Sequence, residues 1–287
     1  MKAFILAAAY ILLLVQASCN NNGPADKSNI KINDQGVNIA YTDNGKGDTT
    51  LLFVHGWCID KTYWTNQVNF FCKKYRVVTI DLPGFGQSGK NRKVWNTEAF
   101  GKDVDSVMSQ LNLRNVILIG HSMAGDIILQ AAINAKSRVI GLVGVDNFKN
   151  VGHIQSKADK IDFDKAIDTM KHHFKKITFE YFNQALFYKT TADSIKKRIL
   201  NDVAKADTVI ATACMATDDF NEVKTLTGMK RKLYLINSDY TKTDTTGFKK
   251  NNIPYQVINI HATGHFPMIE KPQEFNTALA QVIKNIK

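Results

Sequence analysis

The sequence predicts an α/β fold: a mostly parallel sheet flanked by helices, with a helical cap inserted between two strands. Three observations predict it. Short apolar runs such as 51–54 and Val139–Val145 recur along the chain without polar alternation, as strands covered on both faces do. Segments with helical spacing, 97–111 and 124–135, lie between them, the alternation from which parallel sheets are built. The stretch from about 149 to 227 then breaks the rhythm, rich in Lys, Asp, His and aromatics and lacking a buried strand.

Taken in order, 37–42 reads as an early strand ending at the turn signal Asp43-Asn44-Gly45. The runs 51–54, Arg76–Ile80, 116–119, Val139–Val145, 233–236 and 256–260 read as the buried strands. The core is thus expected in two pieces, 30–148 and 228–287, around a cap over 149–227. The alternative is an ordinary crossover with extra helices, which the length of the stretch disfavours.

With 287 residues, 44% of them hydrophobic, the chain has enough apolar material for one sizeable core. Lys and Arg number 37 against 26 Asp and Glu, a formal charge of +11. The basic residues are scattered and no nucleic-acid motif accompanies them, so no nucleic-acid partner is expected. Solubility or attraction to lipid headgroups accounts for the surplus.

At the N-terminus Lys2 precedes an apolar stretch over 3–15, too short for a comfortable membrane span and followed at once by Asn20-Asn21-Asn22-Gly23-Pro24. This is the shape of a secretory signal. Val15-Gln16-Ala17 fits an ordinary cleavage site, whereas Ala17-Ser18-Cys19 resembles the end of a bacterial lipobox, with Gln16 where an aliphatic residue is usual. The second reading is favoured. It makes 1–18 the signal, Cys19 the lipidated residue and 19–29 a polar spacer, with the protein in the periplasm or anchored to a membrane. Cys58, Cys72 and Cys214 have no metal-ligand spacing and read as small core residues, with a Cys58–Cys72 bridge left open.

The chemistry concentrates at strand ends. In Val116-Ile117-Leu118-Ile119-Gly120-His121-Ser122-Met123-Ala124-Gly125 a buried strand runs into a small residue, a serine and a helix-forming stretch. That arrangement exposes a hydroxyl at the sheet's carboxyl edge and aims a helix N-terminus at developing negative charge. The fifth position of G-x-S-x-G is Ala124, which keeps the smallness required. Phe53-Val54-His55-Gly56-Trp57 ends another strand, and the N–H groups of Trp57 and Met123 can form an oxyanion hole. His55 reads as a structural hydrogen-bonder.

A serine hydroxyl needs a base, and Ala262-Thr263-Gly264-His265-Phe266 offers His265 on a glycine turn, preferred to its rival His261. His153, His172 and His173 fall in the cap and read as solvated. Two acids follow strands: Asp239, after Asn237-Ser238, is favoured to orient His265, with Asp146 as the alternative and Asp244 as an outsider.

These segments resemble the α/β-hydrolase superfamily, in the serine branch with a His-Gly-x oxyanion loop that includes esterases, C–C bond hydrolases and cofactor-free haloperoxidases. Asp81-Leu82-Pro83-Gly84-Phe85-Gly86-Gln87-Ser88 is similar to that family's D-x-x-G-x-G-x-S loop, and the likeness spans roughly 30–285 outside the cap. The resemblance implies hydrolysis of an ester or related acyl compound through a covalent acyl-enzyme, without cofactor or metal. The alternative is a non-catalytic ligand-binding lipoprotein or receptor of the same fold; haloalkane or epoxide chemistry ranks last, because those relatives use Asp where this chain has Ser122. Phe163, Phe174, Phe179, Tyr181, Phe182, Phe187 and Tyr188 of the cap suit either an apolar or aromatic small-molecule pocket or simple packing on the core.

Overall fold

In the computed structural model, which describes residues 31–216 and 220–286, the strands follow in chain order as β1 (Ile32–Asp34), β2 (Val37–Ile39), β3 (Tyr41–Asn44), β4 (Thr50–Val54), β5 (Arg76–Ile80), β6 (Val116–His121), β7 (Val139–Val145), β8 (Leu233–Ser238) and β9 (Tyr255–Ile260). The helices are α1 (Thr65–Phe71), α2 (Thr97–Gln110), α3 (Ala124–Asn134), α4 (Lys157–Tyr181), α5 (Asp193–Val203), α6 (Thr208–Met215), α7 (Glu222–Met229), α8 (Thr246–Lys250), α9 (Pro267–Glu270) and α10 (Pro272–Ile286). The expected signal, the spacer and Cys19 lie outside the described residues.

Seven strands form one sheet in the order β3-β5-β4-β6-β7-β8-β9. All its pairings are parallel except β3 with β5 at the edge. The carboxyl ends of β4 to β9 therefore share one rim. Every residue of β4 and β6 is buried, the burial that their unbroken apolar runs require. Each such Leu, Ile, Val or Phe contributes roughly 1.5–3 kcal/mol on leaving water. Phe275, Leu279, Val282 and Ile283 recur at helical spacing along α10 and are buried. At its end, Ile286 occupies the space a Cβ on Gly141 of β7 would need.

The single strand expected over 37–42 is instead two. β2 pairs with β1 in a separate ribbon, while β3 joins the main sheet. The break falls at Ala40, whose N–H donates to Ser88 Oγ at 2.8 Å and whose carbonyl accepts from Asp81 N at 2.8 Å. With both backbone groups taken by the 81–88 loop, neither remains for a continuous ladder.

Between β7 and β8, α4 to α6 meet the rim while α7 packs on α3, and α4 is kinked at His173 (φ −131°, ψ 38°). His153, His172 and His173 are exposed. Cys58 and Cys214 are free thiols, so the Cys58–Cys72 bridge left open from sequence is not made. Burial pushes the Cys58 thiol well above its usual range.

Candidate active site

Ser122 follows β6 with φ 53°, a left-handed conformation that an L-residue adopts at a cost. Neighbouring groups hold it there. Its N–H donates to Val145 O at 2.9 Å, its carbonyl accepts from Gly125 N at 2.9 Å, and Asn147 Nδ2 donates to both Gly120 O (2.9 Å) and Ser122 O (3.2 Å). A Cβ on Gly120 would lie 2.4 Å from Ala124 O, so glycine is required where α3 crosses β6. Gly56 is equally confined: a Cβ there would sit 2.7 Å from His121 Nδ1 and 3.0 Å from Ser122 Cβ. The His55-Gly56-Trp57 loop thus lies directly against the serine turn. Among the described residues neither the Trp57 nor the Met123 N–H donates to another protein group.

His265 Nδ1 donates to Asp146 Oδ2 at 2.6 Å. This fixes the tautomer and leaves Nε2 with its lone pair. The Asp146 side chain is fully buried and that of His265 is 13% exposed. Ser238 N donates to Asp146 Oδ1 at 2.8 Å, and Ser238 Oγ donates to the same oxygen. Burial alone would raise the Asp146 carboxyl, but the hydrogen bond and charge of His265, with Lys149 and Ser238, outweigh it and hold it well below the usual carboxylate range.

The favoured acid is therefore corrected: Asp239 does not reach His265. Its carboxylate accepts from His261 Nδ1 at 2.6 Å and from Ala262 N at 3.2 Å. Register is the cause. Ser238 pairs with Ile260, so the next residue of each strand, Asp239 and His261, meet sideways at the sheet's exposed edge. Asp146 leaves β7 beside Ser122, because His121 pairs with Val145. The polar Asn237-Ser238 pair that marks Asp239 in the sequence serves Asp146 instead: Asn237 exchanges hydrogen bonds with the Asn147 backbone, and Ser238 holds the carboxylate. The Asp244 carboxylate accepts from Thr246 N at the start of α8, and its hydrogen bond to the 246 backbone does not involve the histidine.

The other histidines here are structural. His55 Nδ1 donates to Gly56 O at 2.7 Å and Nε2 accepts from Leu82 N at 2.9 Å, as expected for a loop hydrogen-bonder. Buried His121 donates from Nε2 to His265 O at 2.8 Å, with the two rings 4.7 Å apart. Burial, then the neighbouring His265, pushes it down to about 3, so it stays neutral. In the 81–88 loop the Asp81 carboxylate accepts from Lys61 N, Lys61 Nζ and Gln87 N, and a Cβ on Gly86 would strike it at 2.3 Å. These glycines are structural.

The cap meets the rim through aromatics. Trp57 Nε1 donates to Ala211 O at 2.8 Å, and its ring lies 5.9 Å from Phe174 and 6.2 Å from Phe182. Phe182 stacks on Phe266 at 6.3 Å. A cleft of about 630 Å³ lies to one side, lined by Lys61, Lys90 and Lys205 among others. Each of these lysines is already paired with an aspartate, and none of Ser122, Asp146 and His265 lines the cleft. Among the described residues no group of three or more His, Cys, Asp or Glu is placed to hold a metal ion.

A model of the alpha/beta hydrolase fold family matches residues 49–192, half of the chain. The chain belongs to the alpha/beta hydrolase fold family. This α/β hydrolase is similar to the AB hydrolase superfamily protein YisY of Bacillus subtilis, 24% identical over 261 residues, 85% of this chain and 95% of that protein. It is 30% identical over 125 residues to the dihydrolipoyllysine-residue acetyltransferase component of the acetoin cleaving system of Cupriavidus necator, covering 42% of this chain and 33% of that one. Several curated relatives are matched over only about a third of their length. Among solved structures, a thermophilic esterase from Thermogutta terrifontis superposes with a TM-score of 0.74 at 21% identity, covering 87% of this chain and 94% of that one.

Proposed function

We propose that this α/β hydrolase cleaves an ester or related acyl compound by serine nucleophilic catalysis. The observation that carries the reading is the buried Asp146–His265 hydrogen bond, at the rim where Ser122 is held in its left-handed turn. Ser122 Oγ attacks the acyl carbonyl while His265 Nε2 takes its proton. The Trp57 and Met123 N–H groups receive the oxyanion. The imidazolium, steadied by Asp146, then gives its proton to the departing alcohol oxygen. Water, deprotonated by the same histidine, attacks the acyl-enzyme, and the acid leaves as Ser122 recovers its proton.

Trp57 and Phe187, the half-buried rings of the aromatic seam between cap and rim, favour an apolar or aromatic acyl or alcohol group, while Phe174, Phe182 and Phe266 pack the cap on the core. Export as a lipoprotein modified at Cys19 remains the reading of the N-terminal segment; metabolic labelling with a radioactive fatty acid, lost in Cys19→Ala, tests it.

The deciding experiment is fluorophosphonate labelling with a screen of esters of graded acyl length. The expected result is labelling and turnover in the native protein and neither in Ser122→Ala. Turnover surviving that substitution overturns the mechanism. A folded native protein that neither labels nor turns over any ester instead points to a binding protein of the same fold.

A further inference from the structure

Lys149 comes three residues after Asp146, at the start of the inserted segment, yet its ammonium group turns back into the core. Nζ lies 2.9 Å from Asp146 Oδ1, 3.1 Å from Thr241 O and 3.3 Å from both Ser238 O and Ser238 Oγ. It also sits 4.2 Å above the Tyr240 ring centroid, and the side chain is only 16% exposed. The backbone is tied at the same place: Lys149 O accepts from Asp244 N at 2.8 Å, and Asn150 bridges to Asp244. A solvated surface lysine has none of this. Oxygens and an aromatic face surround the ammonium, and one of those oxygens belongs to the carboxylate that holds His265.

The two oxygens of Asp146 are thereby divided. Oδ1 receives Ser238 N, Ser238 Oγ and Lys149 Nζ, and Oδ2 receives His265 Nδ1. A lone carboxylate favours the charged imidazole. A cation on its other oxygen opposes that preference.

We propose that Lys149 is a positioning residue for the Asp146–His265 pair, clamping Oδ1 to the end of β8 so that Oδ2 faces the ring, and setting a positive charge against the carboxylate that holds the imidazole. The consequence for turnover rests on the Ser122 reaction proposed above; the consequence for the charge on His265 does not.

The groups facing Asp146 are His265 after β9, Ser238 at the end of β8 and Tyr240 after it, His121 at the end of β6 and Lys149 on its own loop. Tyr181 of the cap faces Tyr240, and His55 faces His121. Burial keeps both histidines down and both tyrosines up, so all four are neutral near pH 7.

The test is an NMR titration of the His265 imidazole in the full-length protein and in Lys149→Met, Lys149→Gln and Lys149→Arg, beside the acid limb of kcat/KM for one ester. The midpoint and the acid limb are expected to rise together by about one pH unit in the Met and Gln variants. Arg, which keeps the charge, restores most of the native midpoint. An unchanged midpoint in a folded Met or Gln variant overturns the proposal, as does an equal loss of kcat in all three variants with no shift. Gln keeps a hydrogen-bonding end and decides the matter if Met does not fold. Ser122→Ala in the same assay separates the readings: a shifted midpoint with turnover surviving in Ser122→Ala sinks the hydrolytic mechanism and leaves the role of Lys149 standing.

Discussion

His265 donates its backbone N–H to the carbonyl of Leu186 at 2.8 Å, so the loop that carries the candidate base is bonded to the cap as well as to Asp146. The neighbouring Gly264 is pressed into the same contact, where a Cβ would sit 2.4 Å from Leu186 O and 2.8 Å from Tyr188 N. Both obstacles are backbone and cannot swing aside. Gly264→Ala should therefore lower stability by about 1–3 kcal/mol and reduce kcat in the same protein. Thermal unfolding and steady-state kinetics check this; native values for both would mean that the cap does not constrain the histidine.

The two acids make opposite predictions. Asp146→Asn removes the charged acceptor of the His265 Nδ1–H and should cost kcat about 10⁴-fold. Asp239→Asn and His261→Ala disturb a pair at the exposed rim, its side chains 38% and 74% exposed, and should leave kcat within a few-fold of native. Kinetics on the three variants decide between them, and the reverse ranking would restore Asp239 as the acid.

Gly56→Ala places a methyl group 3.0 Å from Ser122 Cβ and 2.7 Å from His121 Nδ1. Displacing the serine turn by even an ångström should lower kcat on the order of 10²-fold. The check is the rate of fluorophosphonate labelling, which reports on attack by the serine without acyl-enzyme turnover and should fall in parallel. Labelling at the native rate would place the loop's influence elsewhere.

Acid should weaken the fold through Asp146. Its carboxyl is held below its ordinary value, against the pull of burial, by His265, Lys149 and Ser238. A depressed acid contributes stability above its unfolded pKa of about 4 and loses it as the pH falls toward the folded value. The difference in unfolding free energy between the native protein and Asp146→Asn, measured by urea titration, should be greatest near pH 7 and shrink below about pH 4. A difference that stays constant from pH 7 to 3 would contradict the assignment.

Much of this protein follows from local sequence alone. Strands β4 to β8 and the turn at Ser122 were legible because burial on both faces demands unbroken apolar runs and a sharp strand-to-helix turn demands small neighbours, whereas β9, expected as another buried strand, is the half-exposed edge of the sheet. His265 was legible from its glycine turn, and His55 as a loop residue from its place beside Gly56. The choice between Asp146 and Asp239 was not legible, since either gives the chain order Ser, Asp, His. It depended on which strand end lies beside which, a matter of register between segments about 90 residues apart. The break at Ala40 and the inward turn of Lys149 have the same origin: each answers to partners remote in sequence, Ser88 and Asp81 in one case and Ser238 and Thr241 in the other. Composition and spacing determine which segments become strands and which residues can do chemistry. Only the packed sheet decides which of those residues meet, because hydrogen bonds and charges act over a few ångströms of space.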